Sequence, residues 1–160
     1  MAVDMFLELD GIKGESSDKT HKGKIDLLAY SWGLSNTGTF HIGSGGGSGK
    51  ANFQDISVTK YVDAASSDLM LACSSGKHIA KGKLIVRKSG ENPLEYVVFE
   101  FSKLLVSSIS TGASTGEERL TENVTFNFAE VKHTYTAQSA EGGKGDTFPF
   151  GWNIAENVKL

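Results

Sequence analysis

The sequence has a single cysteine, Cys73, so an intramolecular disulfide is impossible. The net charge is −3, whereas nucleic-acid-binding proteins normally carry a concentrated basic face. We therefore expect no nucleic-acid partner. No apolar run approaches the ~18–20 residues of a membrane-spanning helix, so we expect no membrane insertion. The first residues lack the basic and then apolar pattern of a secretory signal. The chain is therefore predicted to fold in the cytoplasm, and any secretion would use a route without a cleaved signal peptide.

Proline is also rare, with only Pro93 and Pro149, whereas glycine is abundant. The 19 glycines exceed the share of ~7% that is usual in proteins, and they indicate turns and loops rather than a fibrous repeat. The balance of 39% hydrophobic and 22% charged residues is that of a globular protein. A chain of 160 residues can bury one core without disulfides or metals. We predict a single domain over residues 1–160.

Alternation of apolar and polar residues predicts strands along most of the chain. At the N-terminus, the apolar positions of one face are Val3, Met5, Leu7 and Leu9. In the segment from Arg119 to Tyr135, the apolar positions change parity between Phe128 and Val131. Such a switch predicts a bulge or a change of sheet, as barrels and sandwiches require.

One helix is predicted, beginning with Ser66 as its N-cap and ending near Gly76. Six to eight strands and this short helix predict a mainly β fold. The arrangement is a β-barrel or two packed antiparallel sheets, with the helix on the side. We expect Cys73 to be buried on the apolar side of the helix, and Met5, Met70 and the aromatic residues to form the core.

No motif assembles a catalytic, cofactor or metal site. The Gly-rich segment that ends at Gly49-Lys50 lacks the first glycine and the final Ser or Thr of a phosphate-binding loop, since Ser44 and Ala51 stand there. The Ser57–Lys60 pair fits Ser-x-x-Lys, but a strand would put the two side chains on opposite faces. We therefore predict no enzyme activity and no cofactor.

The histidines share no metal-ligand spacing, and we expect them to be solvated at the surface. They are His21, His41, His78 and His133.

Several segments, in order along nearly the whole chain, resemble the haemolysin-coregulated protein (Hcp) family of type VI secretion. In the first half they are Met1-Ala2-Val3-Asp4-Met5-Phe6-Leu7, Asp10-Gly11-Ile12-Lys13-Gly14-Glu15-Ser16, Tyr30-Ser31-Trp32-Gly33 and Asp55-Ile56-Ser57-Val58-Thr59-Lys60-Tyr61-Val62-Asp63. In the second half they are Leu71-Ala72-Cys73-Ser74-Ser75-Gly76-Lys77-His78, Arg87-Lys88-Ser89-Gly90, Glu117-Glu118-Arg119-Leu120-Thr121-Glu122-Asn123-Val124-Thr125 and Gly151-Trp152-Asn153-Ile154. Each segment alone is weak evidence, but their joint occurrence is specific.

The resemblance implies a structural role. Members of this family form homo-hexameric rings that stack into a tube inside a contractile sheath, behind a spike protein, and the tube is expelled from the cell. The lumen of the tube can hold and protect small effector proteins. The implied partners are therefore five further copies of the chain, neighbouring rings, the sheath and spike, and effectors in the lumen.

Three segments are candidate contact surfaces. The strand that carries Tyr30 and Trp32 is apolar on both faces, which predicts a subunit contact. The loop from 43 to 50 has too little to bury to pack within its own domain, and we expect it to order on ring stacking. Its candidate residues are Gly43, Gly45, Gly46, Gly47, Gly49 and Lys50. The small, polar residues Thr111, Ser114 and Thr115 are candidates for the wall of the lumen.

Two other classes of function remain open from the residues alone. One is a monomeric β-rich binding module, such as a lectin-like or toxin domain, and the other is a hydrolase whose site converges from distant loops. Native mass distinguishes a ring from a monomeric module. A cleft with perturbed titratable groups would indicate an enzyme.

Overall fold

A computed structural model describes residues 2–38, 40–41, 49–90 and 93–160. Within these residues the chain forms eleven strands and one helix. The first half contains β1 (Val3–Leu9), β2 (Ile25–Leu27), β3 (Ala29–Ser31), β4 (Leu34–Ser35), β5 (Asn52–Phe53), β6 (Ile56–Tyr61) and the helix α1 (Ala65–Ser75). The second half contains β7 (His78–Lys88), β8 (Glu95–Thr111), β9 (Thr121–Gln138), β10 (Lys144–Asn153) and β11 (Val158–Lys159).

Nine strands form one antiparallel sheet, and β4 and β5 form a separate pair. The long path of the large sheet runs β11-β10-β9-β8-β7-β1-β2. The sheet branches at β9, which also pairs with β6, and β6 pairs with β3. Because β2 and β3 are neighbours along the chain, the segment 25–31 links the β2 end of the path to this branch. The helix α1 packs against β8. The predicted mainly β fold with one short helix is confirmed.

The two longest strands, β8 and β9, each change their buried face in mid-strand. In β8 the buried positions are odd-numbered up to Phe101 and even-numbered from Leu104, and Lys103 between them has a φ of 56°. In β9 the buried parity changes between Phe128 and Val131. Residues 121–126 of β9 pair with β6, whereas residues from 130 onward pair with β10. The parity switch in the sequence therefore marks a change of sheet partner, as predicted.

The start of α1 differs from the prediction. The helix begins at Ala65, and Ser66 lies in its first turn with its side chain buried. The carboxylate of Asp63 accepts the Ala65 N–H at 2.9 Å, so an aspartate three residues earlier does the work expected of Ser66. The predicted end is confirmed, because Gly76 has a φ of 70° and its neighbour Lys77 donates its N–H to the Ala72 carbonyl.

Not all the residues expected in the core or at the surface lie there. Five residues predicted in the core are exposed, so these predictions are wrong: Phe40 at 81%, Phe148 at 56%, Tyr135 at 42%, Met70 at 39% and Phe150 at 38%. Cys73 is half-buried rather than fully buried. His21 was expected in solvent, yet it is only 3% exposed, because its ring stacks on Phe6 with centroids 4.6 Å apart.

Candidate functional site

Tyr30 and Trp32 belong to an aromatic cluster within their own chain. The edge of the Tyr30 ring meets Phe99 at a centroid distance of 5.4 Å, and Trp32 meets the same ring at 5.7 Å. The Trp32 indole N–H donates to the Gln54 carbonyl at 2.9 Å. Both side chains are half-buried, and burial raises the pKa of the Tyr30 hydroxyl. Part of the surface predicted to need a partner is thus covered internally, and its contact with another subunit stays a prediction.

Of the predicted stacking loop, only Gly49 and Lys50 lie among the described residues, and both are exposed. Gly43, Gly45, Gly46 and Gly47 lie outside them. The Gly49 N–H donates to the Thr37 carbonyl at 3.2 Å, and the Asn36 amide donates to the Gly49 carbonyl at 2.7 Å. Gly49 is therefore held against Asn36 and Thr37, next to the β4–β5 pair.

Thr111, Ser114 and Thr115 are exposed at the connection between β8 and β9. The Ser114 hydroxyl donates to the Glu117 carboxylate at 3.2 Å, and the Glu117 N–H donates to the Ser114 carbonyl at 3.1 Å. These bonds form a short polar turn that presents hydroxyl groups to solvent. The three predicted surfaces occupy separate parts of the chain and do not converge on one site.

A buried polar cluster lies between β6, β9 and α1, and the sequence patterns did not reveal it. Lys60 is fully buried, and its ammonium group lies 2.5 Å from Glu122 and 2.8 Å from Asp63. It also donates to the Ser66 hydroxyl at 3.2 Å, and that hydroxyl donates to Glu122 at 2.6 Å. All three N–H bonds of the lysine therefore find an acceptor. The sequence contained one indication that Lys60 is buried, since it shares its strand parity with Ile56 and Val58.

A second charged cluster joins β1, β7 and the loop before β2. The Arg87 guanidinium makes two hydrogen bonds to Asp18, at 2.7 and 3.0 Å, and a third to Asp4 at 3.0 Å. Arg87 holds the pKa of the Asp18 carboxyl well below its usual range, and Asp18 in turn raises the pKa of Arg87. Nearby, His21 lies 2.8 Å from Glu95. These contacts fix the loop against the sheet.

The outer face of the large sheet carries alternating charges. Glu8 lies opposite Lys83, Lys83 opposite Glu100, and Glu100 opposite Lys132, across β1, β7, β8 and β9. Lys24 extends the series through an ion pair of 2.8 Å to Glu8, and this hydrogen bond lowers the pKa of the Glu8 carboxyl. Opposite charges on neighbouring strands stabilise the sheet, and they leave this face polar without a strong field of one sign.

The described residues place no familiar catalytic pair and no metal-binding cluster. Among the described residues, no histidine bonds to a serine or cysteine, and no three acidic, histidine or cysteine side chains are placed to hold a metal ion. The helix found in the described part of the chain is too short to span a membrane.

Comparison with known proteins identifies the family of this chain. Residues 6–135 match the family model described as "Type VI secretion system effector, Hcp". The chain is 55% identical over 161 residues to Protein hcp1 of Pseudomonas aeruginosa, covering 99% of each chain.

Solved structures agree along the full length. A structure of a type six secretion system protein superimposes with a TM-score of 0.94 at 32% identity, covering 99% of this chain and 100% of the other. Hcp1 from Salmonella typhimurium superimposes with a TM-score of 0.82 at 34% identity, covering 100% of both chains. The resemblance first seen in scattered segments is confirmed by both comparisons, and the chain belongs to the Hcp family of type VI secretion system proteins.

Proposed function

We propose that the chain is the structural subunit of the type VI secretion tube. Six copies form a ring, rings stack into a tube that meets the spike and the sheath, and the lumen carries or protects small effector proteins. The chain is made in the cytoplasm and secreted with the tube, without a cleaved signal peptide. The observation that carries the proposal is the match to Hcp proteins over 99% of the chain at 55% identity.

The surface of the chain supports association rather than catalysis. Large apolar side chains are exposed on several elements, including Leu71 at 66% and Phe148 at 56%. Extended apolar exposure is typical of surfaces that another protein covers. Within this proposal, Tyr30 and Trp32 lie at the contact between subunits of one ring.

The other two segments have different roles in the proposed tube. The loop from 43 to 50 makes the contact between stacked rings, and Gly49 near its C-terminal end is hydrogen-bonded to Thr37. Thr111, Ser114 and Thr115 face the lumen, where short hydroxyl side chains bind cargo weakly enough to release it. We expect deletion of Gly45–Gly47 to spare rings and weaken stacking, measured by electron microscopy. Unchanged tube formation would remove the loop from this role.

Export with the secretion machine tests the function itself. We expect the chain to accumulate in the culture medium of cells that contain the contractile sheath, and to stay inside cells from which the sheath gene is deleted. A cytoplasmic enzyme measured in both fractions controls for lysis. Equal release from both strains would contradict the proposal.

A further inference from the structure

The half of the large sheet that contains β3 and β6 has an apolar inner face and a small, polar outer face. Ile56, Val58 and Val124 point into the core, and each is 1% exposed or less. Residues of the opposite parity point outward, and the register aligns them in two rows across β3, β6, β9 and β8. We call these two rows the hydroxyl face: Ser31, Ser57, Thr125 and Ser108, and then Ala29, Thr59, Asn123 and Ser110.

The hydroxyl face contains no charged residue, in contrast to the alternating charges around Glu8 and Lys132 on the other half of the sheet. A charge lies at each end of its β6 rows. Asp55 precedes β6 with the outward parity, and Arg119 stacks on Tyr61 at the end of β6. Tyr61 is six positions after Asp55, which is about 20 Å along a strand. The two charges therefore act on different ends of the face.

The Asp55 carboxylate is held in place by hydrogen bonds on both of its oxygens. The Ser107 hydroxyl donates to Oδ2 at 2.6 Å, and the Asn127 side-chain amide donates to Oδ1 at 2.9 Å. Among the described residues, no cation lies within ion-pair distance of this carboxylate. Each carboxylate oxygen has two lone pairs, so both oxygens can accept a further hydrogen bond. Asp55 is thus a fixed acceptor without a counter-charge.

The hydroxyl groups next to Asp55 donate toward it in a chain. A hydroxyl has one hydrogen to donate, and that of Ser107 goes to Asp55. The 2.7 Å contact between Ser107 and Thr125 is therefore donated by Thr125. The 2.6 Å contact between Thr125 and Ser108 is in turn donated by Ser108. All three hydrogens are used within the chain, which leaves oxygen lone pairs facing outward.

Thr59 has the same direction, since its hydroxyl donates to the Asn123 side-chain oxygen at 2.7 Å. Around Asp55 the hydroxyl face therefore offers mainly hydrogen-bond acceptors and one negative charge. The ammonium of lysine and the guanidinium of arginine carry several N–H donors and no acceptor, so they complement such a surface. A carboxylate would meet lone pairs and a like charge there, which disfavours its binding.

We propose that Asp55 selects cargo proteins that present lysine or arginine side chains to the hydroxyl face. Ser108 and Ser110 lie in β8 directly before Thr111, which the proposed function places in the lumen. In a ring of six copies, six Asp55 carboxylates then form a belt around the cargo. The neutral acceptors along the rest of the face bind each cation weakly enough to let the cargo leave. The inference rests on the proposed ring and lumen, and it adds the chemical class of the cargo.

Two fluorescent peptides test this preference on the purified wild-type protein at low salt. One has lysine at regular intervals between glycine and serine, and the other has glutamate at the same positions. Fluorescence anisotropy should show that the lysine peptide binds at least about tenfold more tightly than the glutamate peptide. Added salt should weaken the lysine peptide's binding, because it screens exposed charges.

Asp55→Asn removes the charge and keeps the size of the side chain. We expect it to weaken binding of the lysine peptide by about tenfold. The matched control is Asp10→Asn, at an exposed carboxylate outside the hydroxyl face, and it should weaken binding by less than about twofold. Equal losses from both variants would show that the peptide follows net charge alone, and they would overturn the proposal. Equal binding of both peptides by the wild type would overturn it as well.

Native mass of the same samples separates this inference from the proposed ring. A ring without the lysine preference overturns the selection by Asp55 and leaves the ring in place. A monomer that keeps an Asp55-dependent preference overturns the ring and leaves the chemistry of the face intact.

Charge reversal provides a second readout. Asp55→Lys should make the protein prefer the glutamate peptide, because the fixed charge at the border of the face then has the opposite sign. A variant that folds, as judged by circular dichroism, and still prefers the lysine peptide would contradict selection by Asp55. If this variant does not fold, the comparison of Asp55→Asn with Asp10→Asn decides.

Discussion

Lys60 is a buried cation whose three hydrogen bonds all go to side chains of the same small cluster. Removing Glu122 leaves this charge without its closest partner, and breaking a buried ion pair costs about 3–5 kcal/mol. We expect Glu122→Ala to lower the free energy of unfolding by that amount, measured by urea denaturation. Glu117→Ala, at an exposed carboxylate close by in sequence, is the control and should change stability little.

The double variant Lys60→Met with Glu122→Leu separates charge from packing. It removes both charged groups and keeps apolar volume, so it should be more stable than Glu122→Ala alone. If Glu122→Ala is as stable as the wild type, the buried polar cluster contributes nothing to the free energy of unfolding.

The hydrogen bonds between Arg87 and Asp18 should make the stability of the fold depend on pH. Arg87 depresses its carboxyl pKa in the folded chain, whereas the unfolded chain has a value of about 4. The stabilisation is therefore complete above about pH 4 and is lost as the pH falls through the folded value. Asp18→Asn should lower the melting temperature at pH 7, and the difference from wild type should shrink below pH 3. A constant difference across this range would contradict the assignment.

The sequence could not reveal these residue-scale contacts. Lys60 and Glu122 are 62 positions apart, and only the register of β6 against β9 brings them opposite each other. His21 has no motif around it, and its burial follows from Phe6 and Glu95, which come from two other segments. Periodicity shows which face a residue shares with its neighbours, but it does not give the partner from another strand.

At the scale of elements, the bend of β8 depends on Lys103. This residue adopts a φ of 56°, where residues other than glycine are strained and β-branched residues most of all. We expect Lys103→Gly to change the free energy of unfolding by less than about 0.5 kcal/mol, whereas Lys103→Val should cost about 1–2 kcal/mol. The control is Lys81→Val, at an exposed lysine of β7 whose φ is not positive.

If valine lowers the free energy of unfolding equally at positions 103 and 81, the bend does not require a residue that tolerates a positive φ. The measurement is urea denaturation of the three variants beside the wild type.

Most elements were predictable, because strand alternation and the parity switch near Phe128 depend on local sequence. The switch located the change of sheet partner correctly. The helix start was less predictable, since both Asp63 and Ser66 have the side chain of an N-cap. The structure assigns the cap to Asp63, which accepts the Ala65 N–H, whereas the Ser66 hydroxyl lies within the first turn, donates to Glu122 and accepts the Asp63 N–H at 3.0 Å.

For the whole molecule, we propose a subunit whose function lies in its surfaces. The sequence predicted Trp32 as a contact, but much of its ring packs on Phe99 and Phe53. Phe148 and Phe150 were wrongly predicted in the core with the other aromatic residues, because an apolar strand at a sheet edge has the same sequence pattern as one in the interior. Within the described ranges, β11 pairs only with Trp152 and Asn153 and leaves the edge of β10 from 144 to 150 without a neighbouring strand.

Native mass of the purified wild-type chain distinguishes a ring from a monomer. At micromolar concentration we expect a single species of six 17.1 kDa chains, about 103 kDa. A single species of 17.1 kDa over the same concentration range would contradict the proposed ring and favour a monomeric β-rich module.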